Sequence, residues 1–201
     1  MRAIFASRNR HKIEQVERLL PDVQLIPLDE AAPDLELREP YESFAENALA
    51  KARTVGRETG SPAIADDSGL QVDALGGAPG VHSARYAGEG ATDKENNQKL
   101  IAELEGLDED RLTCRYRCVA VLVMPDGTEI TAEGSCEGRV VFEGRGDLGF
   151  GYDPHVVPEG ETRTMGEIPL DEKLKFSHRG RAFRALAARI KEAFGRAGAE
   201  L

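Results

Sequence analysis

Pro62-Ala63-Ile64-Ala65-Asp66-Asp67-Ser68-Gly69 is the stretch on which the fold turns. It reads as a short apolar strand running directly into two carboxylates and a glycine turn. Leu70 to Leu75 follow, and then Gly76-Gly77-Ala78-Pro79-Gly80, so the backbone after Asp67 can turn tightly and approach a ligand with little side-chain obstruction. Neighbouring strand residues point to opposite faces. Asp66 and Asp67 are therefore expected to do different jobs, one facing a cleft and the other tying down the turn. Taken alone, the same residues also fit an Asp-Ser-Gly cluster that merely closes a strand.

Upstream, Arg2 to Ala6 form a short buried strand, followed by Ser7-Arg8-Asn9-Arg10-His11-Lys12 and a helix with Ile13, Val16, Leu19 and Leu20 at the 3.6-residue period. A strand, a polar loop and a helix start suit an anion: Ser7 or Asn9 can cap, free N–H groups point outward, and Lys12 adds a charge. A plain N-cap beside a solvated lysine gives the same pattern. Val23 to Leu28 reads as the next strand, and Asp29 to Tyr41 as an acidic loop containing Glu36 and Glu39. Ser43-Phe44-Ala45-Glu46 is a capping box that opens a helix through Glu58, with Phe44, Ala48, Ala52 and Val55 on one face. Asn47 and Lys51 stand four apart on a neighbouring face that can look toward the same cleft, with surface or interhelical packing as the plainer role for both.

Downstream, Val81 to Gly88 is irregular, and Thr92 caps a helix carrying Leu100, Ile101 and Leu104 that Gly106 ends. Arg111 to Met124 is the longest strand signal. Its first half alternates Leu112, Cys114, Tyr116 and Cys118 against charged or polar residues, and its second half is apolar throughout, as inside a sheet. Pro125-Asp126-Gly127 turns the chain back through Glu129 to Phe142, which predicts a mixed sheet. Gly144 to Pro154 is rich in glycine yet holds Phe150 and Tyr152, an unusual mixture for a loop that only connects. His155 reads as a strand-edge residue. Met165-Gly166-Glu167-Ile168 leads to a short helix from Pro169 that holds Lys173. Ser177 caps a last helix with Phe183, Leu186, Ala187, Ile190 and Phe194 on one stripe. His178 and Arg179 then sit in its first turn, where cations are unfavourable unless an anion or an acceptor-rich ligand comes close.

A chain of 201 residues suits one domain, here 1–201, or two joined lobes, and buries roughly 70% of its unfolded surface. Lys and Arg total 26 against 36 Asp and Glu, a net charge of -10, which disfavours nucleic acid and anionic membranes as partners. A phosphate-bearing ligand must then be held by a few placed cations, by backbone N–H groups or through a metal ion. Three cysteines without ligand spacing suggest a reducing compartment, and no apolar run reaches the ~18 residues of a membrane span, so a cytoplasmic protein is expected.

Together these elements form an inventory for a nucleoside polyphosphate: rings for a base, cations for phosphates, and hard carboxylate oxygens for Mg²⁺. The chain resembles the inosine triphosphate pyrophosphatases, also called dITP/XTP pyrophosphatases. The resemblance runs from Ser7-x-Asn9-x-x-Lys12 through Ser43-Phe44-x-Glu46-Asn47-Ala48 and Ala65 to Leu70 to Gly76-Gly77-Ala78-Pro79-Gly80. It continues through Ser83-Ala84-Arg85-Tyr86 and Gly149 to Pro154 to Ser177-His178-Arg179-Gly180. It implies cleavage of ITP, dITP or XTP to the monophosphate and pyrophosphate by Mg²⁺-assisted attack of water on the α-phosphorus. Asp67 would be the catalytic base and a metal contact, and Glu39 would hold Mg²⁺ directly or through water. Ser7, Asn9, Lys12 and Ser68 would hold phosphate or sugar. Phe150 and Tyr152 would flank the base with Gly151 between them, Asp153 would meet its edge, and Lys173, His178 and Arg179 would favour a purine with oxygen at C6.

The expected architecture is α/β, a mixed twisted sheet flanked by helices, in two lobes with the active-site cleft between them. The resemblance also implies a homodimer. A purine-nucleotide sensor without turnover is the competing functional class; it predicts tight ITP binding and no product.

Overall fold

The computed structural model describes residues 1–108 and 111–195. Its central strand, β3 (Ala63–Val72), is longer than the sequence pattern suggests. The two carboxylates do not end it, and the expected turn at Ser68-Gly69 is absent. Gly69 keeps a negative φ, and Leu70 and Val72 are fully buried, so alternating apolar positions carry the extended chain past the acids. The turn comes later, at Gly76 and Gly77, with φ of 61° and 93°.

Around β3 the elements are β1 (Arg2–Phe5), α1 (Arg10–Leu19), β2 (Gln24–Pro27), α2 (Leu28–Ala31), α3 (Phe44–Thr59), α4 (Asp93–Leu104), β4 (Thr113–Val123), β5 (Glu129–Val140), β6 (Val156–Pro158), α5 (Leu170–Phe176) and α6 (His178–Gly195). The strands form one six-stranded sheet in the order β2-β1-β3-β4-β5-β6. β1 lies parallel to β2, Arg2 opposite Gln24, and parallel to β3, Ile4 opposite Ala63; β6 runs antiparallel to β5, Val156 opposite Val140. The sheet is mixed, as the hairpin at Gly127 required, and helices flank it. The short helix α2 has no signal in an acidic segment read as loop.

Helix boundaries follow local chemistry. Asn9 Oδ1 accepts the Lys12 N–H at 3.1 Å, and Ser43 Oγ accepts the Glu46 N–H at 3.2 Å. Thr92 and Glu95 form a reciprocal capping box at the start of α4. Gly60 closes α3 in the left-handed region, φ 64°.

The chain divides into two compact units. Among the described residues, the first comprises 1–67, 118–134 and 179–195; the second comprises 68–108, 111–117 and 135–178. In the first, Phe5, Val16, Ile64, Ala120, Leu122 and Phe183 form the core, with Phe5 and Phe183 edge to face at 6.3 Å. In the second, Leu70, Leu100, Leu104, Tyr116, Val140 and Tyr152 are buried together.

Candidate active site

The first unit gathers a buried charge cluster around Asp66 and Asp67, 1% and 5% exposed. Their opposite directions on β3 give them separate partners. Asp66 Oδ1 accepts from Lys12 Nζ at 3.2 Å, and its Oδ2 accepts from Arg179 Nε and Nη2 at 3.2 and 3.0 Å. Arg179, itself 2% exposed, also donates Nη1 to Gln15 Oε1 at 2.9 Å. Burial pushes the Asp66 carboxyl up, but the charges of Lys12, Arg179 and Lys51 outweigh it and hold the group well below the carboxylate range.

Asp67 is held from α3. Asn47 Nδ2 donates to its Oδ2 at 3.1 Å, and Lys51 Nζ lies 3.7 Å from its Oδ1. The same ammonium hydrogen-bonds Glu39. Burial raises the Asp67 pKa, Lys51 opposes this, Glu39 adds to it, and the net direction is upward. Lys51 is pulled down by burial yet ends above its ordinary value, because Asp67, Glu39 and Asp66 all face it. Asn47 further exchanges hydrogen bonds of 3.0 Å with the backbone N–H and C=O of Tyr41, which pins the end of the acidic loop. Asn47 and Lys51 are thus buried partners of the acids, which corrects their reading as surface or packing residues.

The second unit carries the ring-bearing loop. Asp153 accepts from Tyr116 Oη at 3.1 Å and Lys173 Nζ at 2.8 Å. Lys173 also reaches Leu148 O at 3.4 Å. Gly149 has φ 96°, and a Cβ there would lie 2.1 Å from Asp153 Oδ2 and 2.6 Å from Lys173 Nζ, so only glycine lets the loop close on this ion pair. Tyr152 is buried and donates its hydroxyl to Ser83 O at 2.8 Å. Phe150 is half-buried. The His178 ring stacks on Tyr116, centroids 4.7 Å apart and planes 16° apart.

The sequence profile of the Ham1 family matches residues 3–189. The chain belongs to the Ham1 family. A Streptomyces avermitilis protein named dITP/XTP pyrophosphatase is 45% identical over 199 residues, 96% of this chain and 99% of its own length. A Syntrophobacter fumaroxidans protein of the same name is 49% identical over 183 residues, 89% of this chain and 77% of its own. The structure of a HAM1 protein from Coxiella burnetii superposes with TM-score 0.87 at 38% identity, covering 96% of this chain and 99% of that one.

In this Ham1-family chain, the first unit brings together Lys12, Glu39, Asp67 and Arg179, and the second brings together Phe150, Gly151, Tyr152, Asp153, Lys173 and His178. Arg179 donates to Asp66 and Gln15 in a buried fork. Tyr152 belongs to a core, whereas Phe150 is half-buried. Asp153 already accepts from Lys173 and Tyr116. At the start of α1, Asn9 spends its side-chain oxygen on the cap, and Ser7 Oγ accepts the Asn9 N–H at 3.2 Å. Ser68 is half-buried in β3, one residue beyond Asp67.

Sequence reasoning missed Gln15 and the depth of Asn47 and Lys51. The four-residue spacing of Asn47 and Lys51 next to an apolar stripe was the available signal. For a metal ion, the donors at hand are the hard oxygens of Glu39 and Asp67, which converge on one ammonium. Among the described residues no group of three or more His, Cys, Asp or Glu is placed to hold a metal. Two carboxylates fit an ion such as Mg²⁺ that keeps several waters and takes phosphate oxygens.

Proposed function

We propose that this protein hydrolyses ITP, dITP and XTP to the monophosphate and pyrophosphate. The observation that carries the reading is Asp67: a buried carboxylate held from one side by Asn47, facing Lys51 and Glu39, in a chain whose relatives are named dITP/XTP pyrophosphatases. The Asn47 amide fixes Oδ2, and Oδ1 takes the proton of the attacking water. Burial makes Asp67 a stronger proton acceptor than a surface carboxylate. Lys51 and Lys12 offer ammonium groups to the phosphates, alongside the hydroxyls of Ser7 and Ser68 and the amide of Asn9. Mg²⁺, held by Glu39 and Asp67, would neutralise charge on the triphosphate.

The base is assigned to the Phe150–Gly151 turn, with His178 and Lys173 reading the C6 position. Lys173 has three ammonium protons, and two are accounted for by Asp153 and Leu148. The third is satisfied by a C6 carbonyl and left unpaired by the adenine amine, a difference of about 1–3 kcal/mol. Incubation with ITP, XTP, GTP and ATP tests the reading. Pyrophosphate is expected from ITP and XTP, at least roughly tenfold faster than from ATP, lost on chelation and restored by Mg²⁺. Release of single phosphates, or equal use of ATP, overturns it.

We read the protein as a cytoplasmic homodimer that uses the β4–β5 hairpin. Three buried cysteines suit a reducing compartment. No helix among the described residues is long and apolar enough to cross a membrane. Light scattering is expected to give twice the 21.9 kDa chain mass; a monomer at working concentration removes the dimer.

A further inference from the structure

Gly151 is the residue between the two rings of the loop, and both of its backbone polar groups are held by one turn of α4. Asp93 Oδ2 accepts the Gly151 N–H at 2.6 Å, and Asn97 Nδ2 donates to Gly151 O at 2.8 Å. The two side chains stand four apart on the same face of the helix. Asn97 is 9% exposed, and its Nδ2 also donates to Asp93 O at 2.8 Å, so the orientation of the amide is settled: reversed, it would aim an acceptor at two carbonyls. In this pose no described residue donates to Asn97 Oδ1. A buried acceptor left in that state is unfavourable, and the pose is kept by what Nδ2 holds.

The neighbouring rings are fixed in different ways. Tyr152 is locked by a core and by Ser83. Phe150 instead lines an open groove of about 1030 Å³ together with Ile101, Phe142, Leu148 and Pro154. One side of the ring therefore faces the groove, and the backbone of the turn that carries it bears on its position. Asp153 reaches the Phe150 N–H at 3.4 Å, longer than either α4 contact to Gly151. Gly151 sits at φ 63°, a conformation that a substituted residue resists, although no atom lies within 4 Å of an added Cβ.

We infer that Asp93 and Asn97 are positioning residues for purine selection: they clamp Gly151 and thereby set the plane of the Phe150 ring. The inference rests on the reading that Phe150 stacks the base. Loosening the clamp costs substrate capture rather than the chemical step, because neither residue touches the reacting atoms.

The test is steady-state kinetics on ITP with Asp93→Ala, Asp93→Asn, Asn97→Ala, Phe150→Ala and the Asn97→Ala/Phe150→Ala double variant. Asn97→Ala and Asp93→Ala are expected to raise KM about tenfold with kcat within about twofold. Asp93→Asn, which keeps an oxygen acceptor, restores most of the loss. In the Phe150→Ala background Asn97→Ala adds nothing further, since it acts through the ring. Hydrogen exchange speeds up at the Gly151 amide in Asp93→Ala, which removes its acceptor, while the β-sheet stays protected. A raised KM in Phe150→Ala beside an unaffected Asn97→Ala, additive effects in the double variant, or unchanged exchange at Gly151 each overturn the clamp. An unchanged KM in Phe150→Ala sinks the stacking reading instead.

Discussion

Asp67→Asn is expected to lower kcat for ITP by about 10²–10⁴ while the protein still binds the nucleotide. The substitution is close in shape, keeps an oxygen that a metal ion can use, and removes the acceptor for the water proton. The fold should tolerate it. Asn47 Nδ2 can donate to the new amide oxygen in place of Asp67 Oδ2, now 3.1 Å away, and Lys51 keeps Glu39 as its counter-charge. Removing one negative charge beside the phosphates reduces repulsion, so affinity for ITP holds or improves. Single-turnover assays give the chemical rate, and calorimetry with the variant gives the affinity. A variant retaining more than about a tenth of wild-type kcat would place the base elsewhere, and loss of binding would make Asp67 a substrate-holding group only.

How much of this was readable in the sequence depends on which interactions are local. The caps at Ser43 and Thr92 and the hairpin at Gly127 are settled within a few residues and lie where the pattern put them; of the two residues able to cap α1, Asn9 does so, and α3 ends one residue past the expected Glu58. β3 was cut short because Asp-Asp-Ser-Gly has turn chemistry. What keeps it extended is tertiary: Arg179 and Lys12 neutralise one acid, Asn47 and Lys51 hold the other, and all four are distant in sequence. The same distance hid the role of Arg179. Its place in a first helical turn suggested a cation awaiting an anion or an acceptor-rich ligand, and Asp66, 113 residues away, accepts from it. Phe150 and Tyr152 look equivalent in a glycine-rich loop; only packing tells the buried ring from the half-buried one.

Asp66→Ala should be the more damaging change to stability, although Asp66 has no place in the chemistry. Its removal strands the Arg179 guanidinium, 2% exposed, without the carboxylate that balances its charge, beside the neutral Gln15 Oε1 at 2.9 Å. Breaking a buried pair on one side typically costs about 3–5 kcal/mol, because the remaining charge is uncompensated. For a chain of this size that lowers Tm by roughly 10 °C. The pH dependence follows from the direction of the shift. Asp66 is depressed in the folded state, so its contribution is fully present above the unfolded carboxylate value of about 4. As pH falls below that value the unfolded chain takes up a proton that the folded chain refuses, and stability drains away until the folded pKa is passed. The Tm gap between wild type and Asp66→Asn is therefore expected to be constant from neutral pH down to about pH 5 and to narrow toward about pH 2.5. Scanning calorimetry across that range reads it directly. A gap that stays constant under acid would mean that the neighbouring cations do not hold Asp66 ionised. Asp67→Asn, run beside it, separates the two acids: it removes turnover and leaves Tm nearly unchanged, because Asp67 is raised rather than depressed and contributes no such acid-labile stability.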